Sequence, residues 1–325
     1  MLNIDEWQNR DEKGRKMMVG TRVKTLFKNK SERKRLLFYS LMIALPLAQV
    51  AIFYFGVNIN SILLAFKEYE GGDYHWIGFE NFRNVLTEIF TDPTAEWRFA
   101  FKNTFIAWIV CTGIGMTLAL FFSYYLFKKG IGKNFFRVML FMPSIISSIV
   151  MVILFTYFVD SFIPELAMRY FGAEIRGLLS NPDTTMLMIY LYNILMGFGT
   201  NVLLLSSAMS SVSDSIVEAA QLDGANNLQL FWHVVFPQIF PTFVTIFIVS
   251  VANLFANQLN LYSFYGAYAE AKYVTVGYLL YKRTVSAANA QYPELATIGI
   301  LLTIIIIPVT LGLRKLLEKV GPSDE

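Results

Sequence analysis

Cysteine is nearly missing from this chain, and that scarcity excludes a good deal of chemistry. Cys111 is the sole thiol among 325 residues, so no intrachain disulfide framework exists and no thiol-built metal or redox site can be assembled. It lies within an apolar run, where packing is its role. Histidine is almost as rare. His75 and His233 are far apart, and neither has a carboxylate or thiol at ligand spacing, which leaves no metal site and no nucleophile and base pair. Charge is scarce too, 16% of residues against 55% apolar, where a soluble domain carries about 25% charged. No Gly-x-x-x-x-Gly-Lys-Ser/Thr phosphate loop occurs, because Gly130-Ile131-Gly132-Lys133-Asn134 lacks both the spacing and the hydroxyl residue. The chain therefore has no means of hydrolysing ATP by itself. No internal repeat or low-complexity segment is present, and nothing points to nucleic acid.

What is there is apolar and long. Runs of about 20 apolar residues, each enough to cross a bilayer, predict an all-α polytopic protein with six spans: Leu36–Phe55 with a helical extension to Phe66, Phe105–Phe127, Phe136–Val159, Thr185–Ala208, Pro241–Tyr262 and Leu295–Leu313. Residues 1–35 form a basic tail, 36–318 the membrane domain and 319–325 a short C-terminal tail. The tail's length and the absence of a small-residue cleavage site argue against a removable signal. Most of the 27 Lys and Arg fall in segments that share one side with the tail, so the positive-inside rule puts both termini in the cytoplasm. Lys, Arg, Asp and Glu are missing from the apolar cores of the spans, which argues against a proton-coupled carrier.

Between the fourth and fifth spans, residues 209–240 break the apolar pattern. Ser213 to Leu222 is rich in helix formers, with Asp214 as a candidate cap, and Gly224 offers the left-handed residue that ends a helix. Leu228, Phe231, Trp232 and Val235 then recur at helical spacing before Pro237. The reading is a cytoplasmic helix–turn–helix with three acids, Asp214, Glu218 and Asp223, and no Lys or Arg.

Glu218-Ala219-Ala220, three residues, Gly224, nine residues, Val234, one residue, Phe236 and Pro237 resembles the coupling motif of the membrane subunits of bacterial binding-protein-dependent ABC importers, of the maltose and multiple-sugar type. Val234 and Phe236 stand where that family usually has Ile and Leu, and Ser213 where sugar-type members often have Pro. The resemblance extends to Trp76-Ile77-Gly78-Phe79-Glu80-Asn81-Phe82 in the first outer loop, to Asn103-Thr104 before the second span, and to Arg137 through Pro143-Ser144-Ile145-Ile146-Ser147. The loop also reads as an interfacial element, with Val85, Leu86, Ile89 and Phe90 on an amphipathic stretch.

The resemblance implies a type I ABC importer permease fold in the bacterial cell membrane, with Glu218, Ala219, Ala220, Asp223, Gly224, Ala225 and Pro237 coupling the spans to a partner. It implies that partner to be two ATPase subunits, which hold the ATP and Mg, together with a homologous second permease forming a heterodimer and an extracellular sugar-binding protein. No cofactor is expected on this chain. Neutral polar residues inside the spans complete the expectation. Asn193, Gly197 and Thr200 lie along the fourth span, and Ser250, Asn253 and Asn257 recur at three and four residues on the fifth, hence on one helical face. Amides at depth must pair across helices or line a wet cavity, and similar permeases bind sugar between these two spans. The function expected is import of a neutral oligosaccharide; the alternatives are a permease for a phosphorylated or other solute, and a stand-alone channel or secondary carrier.

Overall fold

The structure is a computed structural model that describes residues 30–91, 96–128 and 130–321. Most of the basic tail and the residues after Gly321 lie outside the described residues, and so do the expectations that fall on them. The described residues fall into two units divided between Leu63 and Leu64. The first is a helical rod made of α1 (Lys30–Gln49), a π-helical stretch (Val50–Val57) and most of α2 (Asn58–Leu64). Pro46 lies inside α1, where its missing N–H removes one rung of the hydrogen-bond ladder.

The second unit opens with a two-stranded antiparallel hairpin, β1 (Lys67–Glu70) and β2 (Asp73–Trp76), paired Glu70 to Asp73 across Gly71-Gly72. Both glycines have positive φ, +63° and +101°, which is what a two-residue hairpin turn demands and side chains resist. Then come α3 (Glu80–Thr91), α4 (Glu96–Phe127), α5 (Lys133–Phe141), α6 (Ser148–Tyr157), a π turn (Phe158–Phe162) and α7 (Ile163–Phe171). After these follow α8 (Thr185–Met209), α9 (Asp214–Leu222), α10 (Asn227–Leu230), a π turn (Phe231–Val235) and α11 (Phe236–Ala252). Last are α12 (Leu261–Tyr265), α13 (Val276–Val285) and α14 (Tyr292–Val320).

Six helical segments are long and apolar enough to cross a bilayer: Leu37–Leu64, Glu96–Phe127, Ser148–Phe171, Thr185–Met209, Asn227–Ala252 and Asn289–Val320. The second and fourth pack along their length. The cause is a row of small residues four apart on α4, Ala107, Cys111, Gly115, Ala119 and Ser123, all buried or half-buried. Small side chains let helix backbones approach closely in a bilayer. Ser123 Oγ–H reaches the Val202 carbonyl at 3.2 Å, and the Cys111 thiol points to the Tyr190 carbonyl at 3.9 Å. Two cores result. One, at the hairpin-bearing end, gathers Trp97, Ile189, Leu261, Val276, Tyr278 and Ile298, and the other gathers Leu120, Val202, Leu205, Met209, Phe231 and Val235.

The second span starts earlier than expected, at Glu96, and the sixth runs longer, Asn289–Val320; two others differ in course. The third is not one helix over Phe136–Val159. It breaks after Phe141, passes through a 3₁₀ turn (Met142–Ser144) and restarts at Ser148, running on to Phe171. Pro143 has no N–H for the ladder, and the preceding turn instead tightens, with Ser144 Oγ–H donating to Phe141 O at 2.7 Å. The fifth does not continue to Tyr262. It ends at Ala252, and an irregular stretch runs to α12. Hydropathy carried the span onward because Leu254, Phe255 and Leu259 are apolar, yet these three are buried in the irregular stretch by tertiary packing.

Candidate functional site

The acidic stretch between α8 and α11 folds as a tight helical hairpin. Ser213, with extended backbone (ψ 129°), is the cap residue of α9, and Asp214 is the first helical residue. This corrects the assignment of Asp214 as the cap; its carboxylate instead meets the positive end of the helix dipole. The turn closes as Gly224 enters the left-handed region at φ +86°, with Asp223 N–H, Gly224 N–H and Ala225 N–H donating back to Ala219, Gln221 and Ala220 carbonyls at 3.0 to 3.1 Å. The second helix then starts on a full capping box: Asn226 Oδ1 accepts from Leu228 and Gln229 N–H, and Gln229 Oε1 accepts from Asn226 N–H, all at 2.9 to 3.0 Å. The turn and the start of the second helix are thus closed by local backbone and side-chain bonds.

Its base is fixed to the bundle. Leu230, Phe231 and Val235 are buried, the Phe231 ring lies tilted against that of Tyr124 with centroids 4.8 Å apart, and Tyr124 O–H donates to Asn227 O at 2.7 Å. The missing Pro237 N–H leaves the turn before it loose, which is where the π turn Phe231–Val235 sits. The tip is the opposite. Glu218, Ala219, Asp223 and Gly224 are exposed, Ala220 and Ala225 half-buried, and Leu222 and Leu228 stand 88% and 63% exposed beside them. An exposed apolar pair thus stands on an acidic hairpin that carries no Lys or Arg.

The polar residues of the fifth span sit where the helix has unwound. Asn253 closes α11 at φ −88°, ψ 5°, so Ser250, Asn253 and Asn257 do not share a helical face as the spacing suggested. They are nonetheless brought together, around a cavity of about 90 Å³ whose walls also include Thr104, Trp108 and Thr112 of α4, and Thr275. Trp108 Nε1–H donates to Ser250 Oγ at 3.3 Å. Asn253 and Asn257 are exposed, each with part of its amide free beyond one local bond, Asn253 Nδ2–H to Val249 O and Leu259 N–H to Asn257 Oδ1. Sequence reasoning missed the α4 wall, because Thr104, Trp108 and Thr112 recur one helical turn apart in a run that reads only as apolar. Asn103 and Thr104 do more: Asn103 Nδ2–H donates to Lys272 and Val274 carbonyls, and Thr104 Oγ accepts Val276 N–H, at 2.8 to 3.0 Å. That pins the segment before α13 against the second span.

The fourth-span residues do not line this cavity. Asn193 has its amide spent on packing: Nδ2–H donates to Ile189 and Leu259 carbonyls (2.8 and 3.0 Å), and Oδ1 accepts Asn260 Nδ2–H (2.9 Å). Asn260 Oδ1 in turn accepts Ser148 Oγ–H at 2.9 Å. The restart of the third span, the middle of the fourth and the unwound fifth are therefore tied by one chain of amides. Leu259 and Asn260, at φ +52° and +56°, are the only non-glycine residues with positive φ among those described, and Asn193 holds that strained pair. Gly197 and Thr200 are exposed on the fourth span. Asn260→Gly is expected to lower stability by about 1–3 kcal/mol, since it keeps the backbone and removes both side-chain bonds. Asn260→Val should fall further, a β-branched residue being forced left-handed. A melt of the detergent-solubilised protein in which Asn260→Gly matches the parent would rule out this tie.

These features define a multi-pass helical membrane protein whose third and fifth spans are broken, with an acidic helical hairpin between the fourth and fifth. Residues 112–320 match the family of binding-protein-dependent transport system inner membrane components, and the chain belongs to it. Among similar proteins is the arabinooligosaccharides transport system permease protein AraP of Bacillus subtilis (strain 168), 27% identical over 82% of this chain and 83% of its own length. Another is the multiple sugar-binding transport system permease protein MsmF of Streptococcus mutans, 23% identical over 86% of this chain and 95% of its own. The fold is shared with a chain of a bacterial ABC transporter involved in import of the acidic polysaccharide alginate. The TM-score is 0.72 at 17% identity, covering 90% of this chain and 99% of that one. A bacterial alginate ABC transporter in complex with an alginate pentasaccharide-bound periplasmic protein gives 0.71. The protein is a permease subunit of an ABC importer, with the type I permease fold.

Proposed function

We propose that this permease imports a neutral oligosaccharide, delivered by an extracellular binding protein and released through a path beside Asn253 and Asn257. The observation that carries the reading is the exposed amide pair on the unwound fifth span, in a chain of this family. An amide offers both a donor and an acceptor, and each sugar hydroxyl needs both. The carbohydrate-transport names of its relatives support the same class of substrate. The cavity at Ser250, Asn253 and Asn257 has no Lys or Arg in its walls, which favours a neutral sugar over a phosphorylated or acidic one, whatever the alginate transporter carries. Gly197 and Thr200 belong to the reading as exposed positions of the fourth span, whereas Asn193 supports it indirectly, by holding Leu259.

In this reading two ATPase subunits, which hold the ATP and Mg, press on the Glu218 to Ala225 hairpin. A homologous second permease completes the pathway, and the spans rock between outward-open and inward-open states. This chain itself catalyses nothing. Asn253→Ala is expected to weaken sugar handling about 5- to 150-fold, the range of one hydrogen bond lost in a desolvated site, while the complex still assembles. A sugar titration of uptake at matched expression is the test, and unchanged half-saturation together with unchanged maximal rate would remove the site.

Orientation follows from charge bias in a bacterial cell membrane. Reporters fused before Met1 and after Glu325 should both read cytoplasm, and one inserted near Asp73 should read outside; any other pattern breaks the six-span arrangement.

A further inference from the structure

We infer that the chain holds a second sugar subsite, at the end of the spans opposite the Glu218 hairpin, in the cavity walled by Asp160, Tyr265, Glu270 and Tyr273. The inference rests on the carbohydrate reading above. The cavity measures about 260 Å³ and is also lined by Thr156 and Thr185. Thr185 starts α8, and the hairpin follows the other end of that helix, so the two sites face opposite sides of the membrane. Drug-sized pockets run from roughly 300 to 1,000 Å³, and this one is suited to a single ring of a longer chain.

The chemistry of the walls selects the ligand. Tyr265 O–H is buried and has no hydrogen-bond partner, a rare condition for a buried donor. The carboxylates and the Tyr273 phenol are engaged. Asp160 Oδ1 accepts Leu179 N–H at 2.6 Å and Oδ2 accepts Ser180 Oγ–H at 2.7 Å. Glu270 pairs with Lys272 at 2.8 Å, and Tyr273 O–H donates to Pro182 O at 3.3 Å. Both carboxylates already have charge or donors to answer them, so the site does not call for a cation. What it lacks is an acceptor for the Tyr265 phenol, while the carboxylates keep lone pairs for further donors. A hydroxyl supplies both at once, and the half-buried Tyr265 ring adds an apolar face beside it. Burial, with the neighbouring Tyr273, Asp160 and Glu270 charges adding, pushes the Tyr265 phenol up to about 12, so it stays a donor at any physiological pH. Asp160 is held in place as well: a side chain at Gly177 would lie 2.7 Å from its carboxyl carbon.

The test offers radiolabelled arabinotriose, galactobiose and maltotriose to cells carrying the complete transporter. The sugar imported is then used for equilibrium binding to the purified transporter in lipid nanodiscs. Tyr265→Phe removes one oxygen and keeps the ring, so it should assemble as the parent does. Its binding of that sugar is expected to weaken about three- to tenfold, with Glu270→Gln weaker in the same direction and Tyr268→Phe, outside the cavity, unchanged. If the parent imports a sugar and both Tyr265→Phe and Glu270→Gln bind it as the parent does, the subsite is overturned and the transport reading stands. If the parent imports none of the three, the carbohydrate reading fails and takes the subsite with it.

Discussion

Gly224→Val is expected to abolish ATP-driven uptake, lowering it by at least an order of magnitude, while the protein still inserts in the membrane. Gly224 sits at φ +86°, a region that a β-branched residue adopts only with strain. Space is not the obstacle, since a Cβ there would meet nothing within 4 Å. The backbone alone resists, so α9 either runs on through the turn or leaves it at another angle, and the Ala225 to Ala220 bond that closes the turn is lost. Glu218 and Asp223 are then misplaced for a partner groove, while Leu230, Phe231 and Val235 still anchor the base. Gly224→Asn is the discriminating companion, because Asn visits the left-handed region readily; it should retain most of the uptake. Normal uptake and normal ATPase stimulation in Gly224→Val would falsify the coupling role.

Gly199→Ala is expected to fail earlier, at folding. A Cβ at Gly199 would collide with the carbonyl oxygen of Leu140 and lie 2.7 Å from its carbon and 3.3 Å from the Phe141 Cα. These are backbone atoms at the end of α5, immediately before the Pro143 break, and they cannot step aside as a side chain can. Overpacking of this kind costs about 3 kcal/mol or more where backbone must move. The thermal midpoint in detergent should drop by several degrees, or the protein should be lost on size exclusion. Gly197→Ala, two residues away on the same helix with nothing within 4 Å of a Cβ, should melt like the parent. Equal melting of the two variants would show that the fourth span does not rest on the broken third.

The membrane class and the hairpin were legible because both are written in local pattern. Runs of apolar residues locate spans without any knowledge of neighbours, and Glu218, Gly224 and Pro237 hold their register within a single loop. The β-hairpin at Gly71-Gly72 went unread although a Gly-Gly pair between β-prone tyrosines is a hairpin signal; the run of charged residues in Lys67–Glu70 and Asp73–Trp76 hid it. The small-residue row from Ala107 to Ser123 was equally visible in principle, since its spacing of four is helical, and it explains why Cys111 is small rather than reactive.

The arrangement of the polar residues in the spans was only half legible. Ser250, Asn253 and Asn257 stand out by residue type, and a spacing of three and four predicted one helical face. The face is not there, because α11 stops at Ala252, yet the three still meet around one cavity. That convergence depends on Trp108 and Thr104 from a helix more than 140 residues earlier, and no local pattern encodes such a neighbour. Asn193 makes the same point in reverse. Its sequence position promised an open amide, and Asn260, brought beside it by the left-handed turn at Leu259, closed it. By itself the sequence determined the elements whose stability is local: the apolar lengths of the spans, the charge bias, the glycine turn and capping box of the hairpin. Only the tertiary structure decided where the third and fifth spans break and which amides remain free. Those outcomes turn on whether a buried polar group finds its partner across helices, and that competition is settled by packing between residues far apart in the chain.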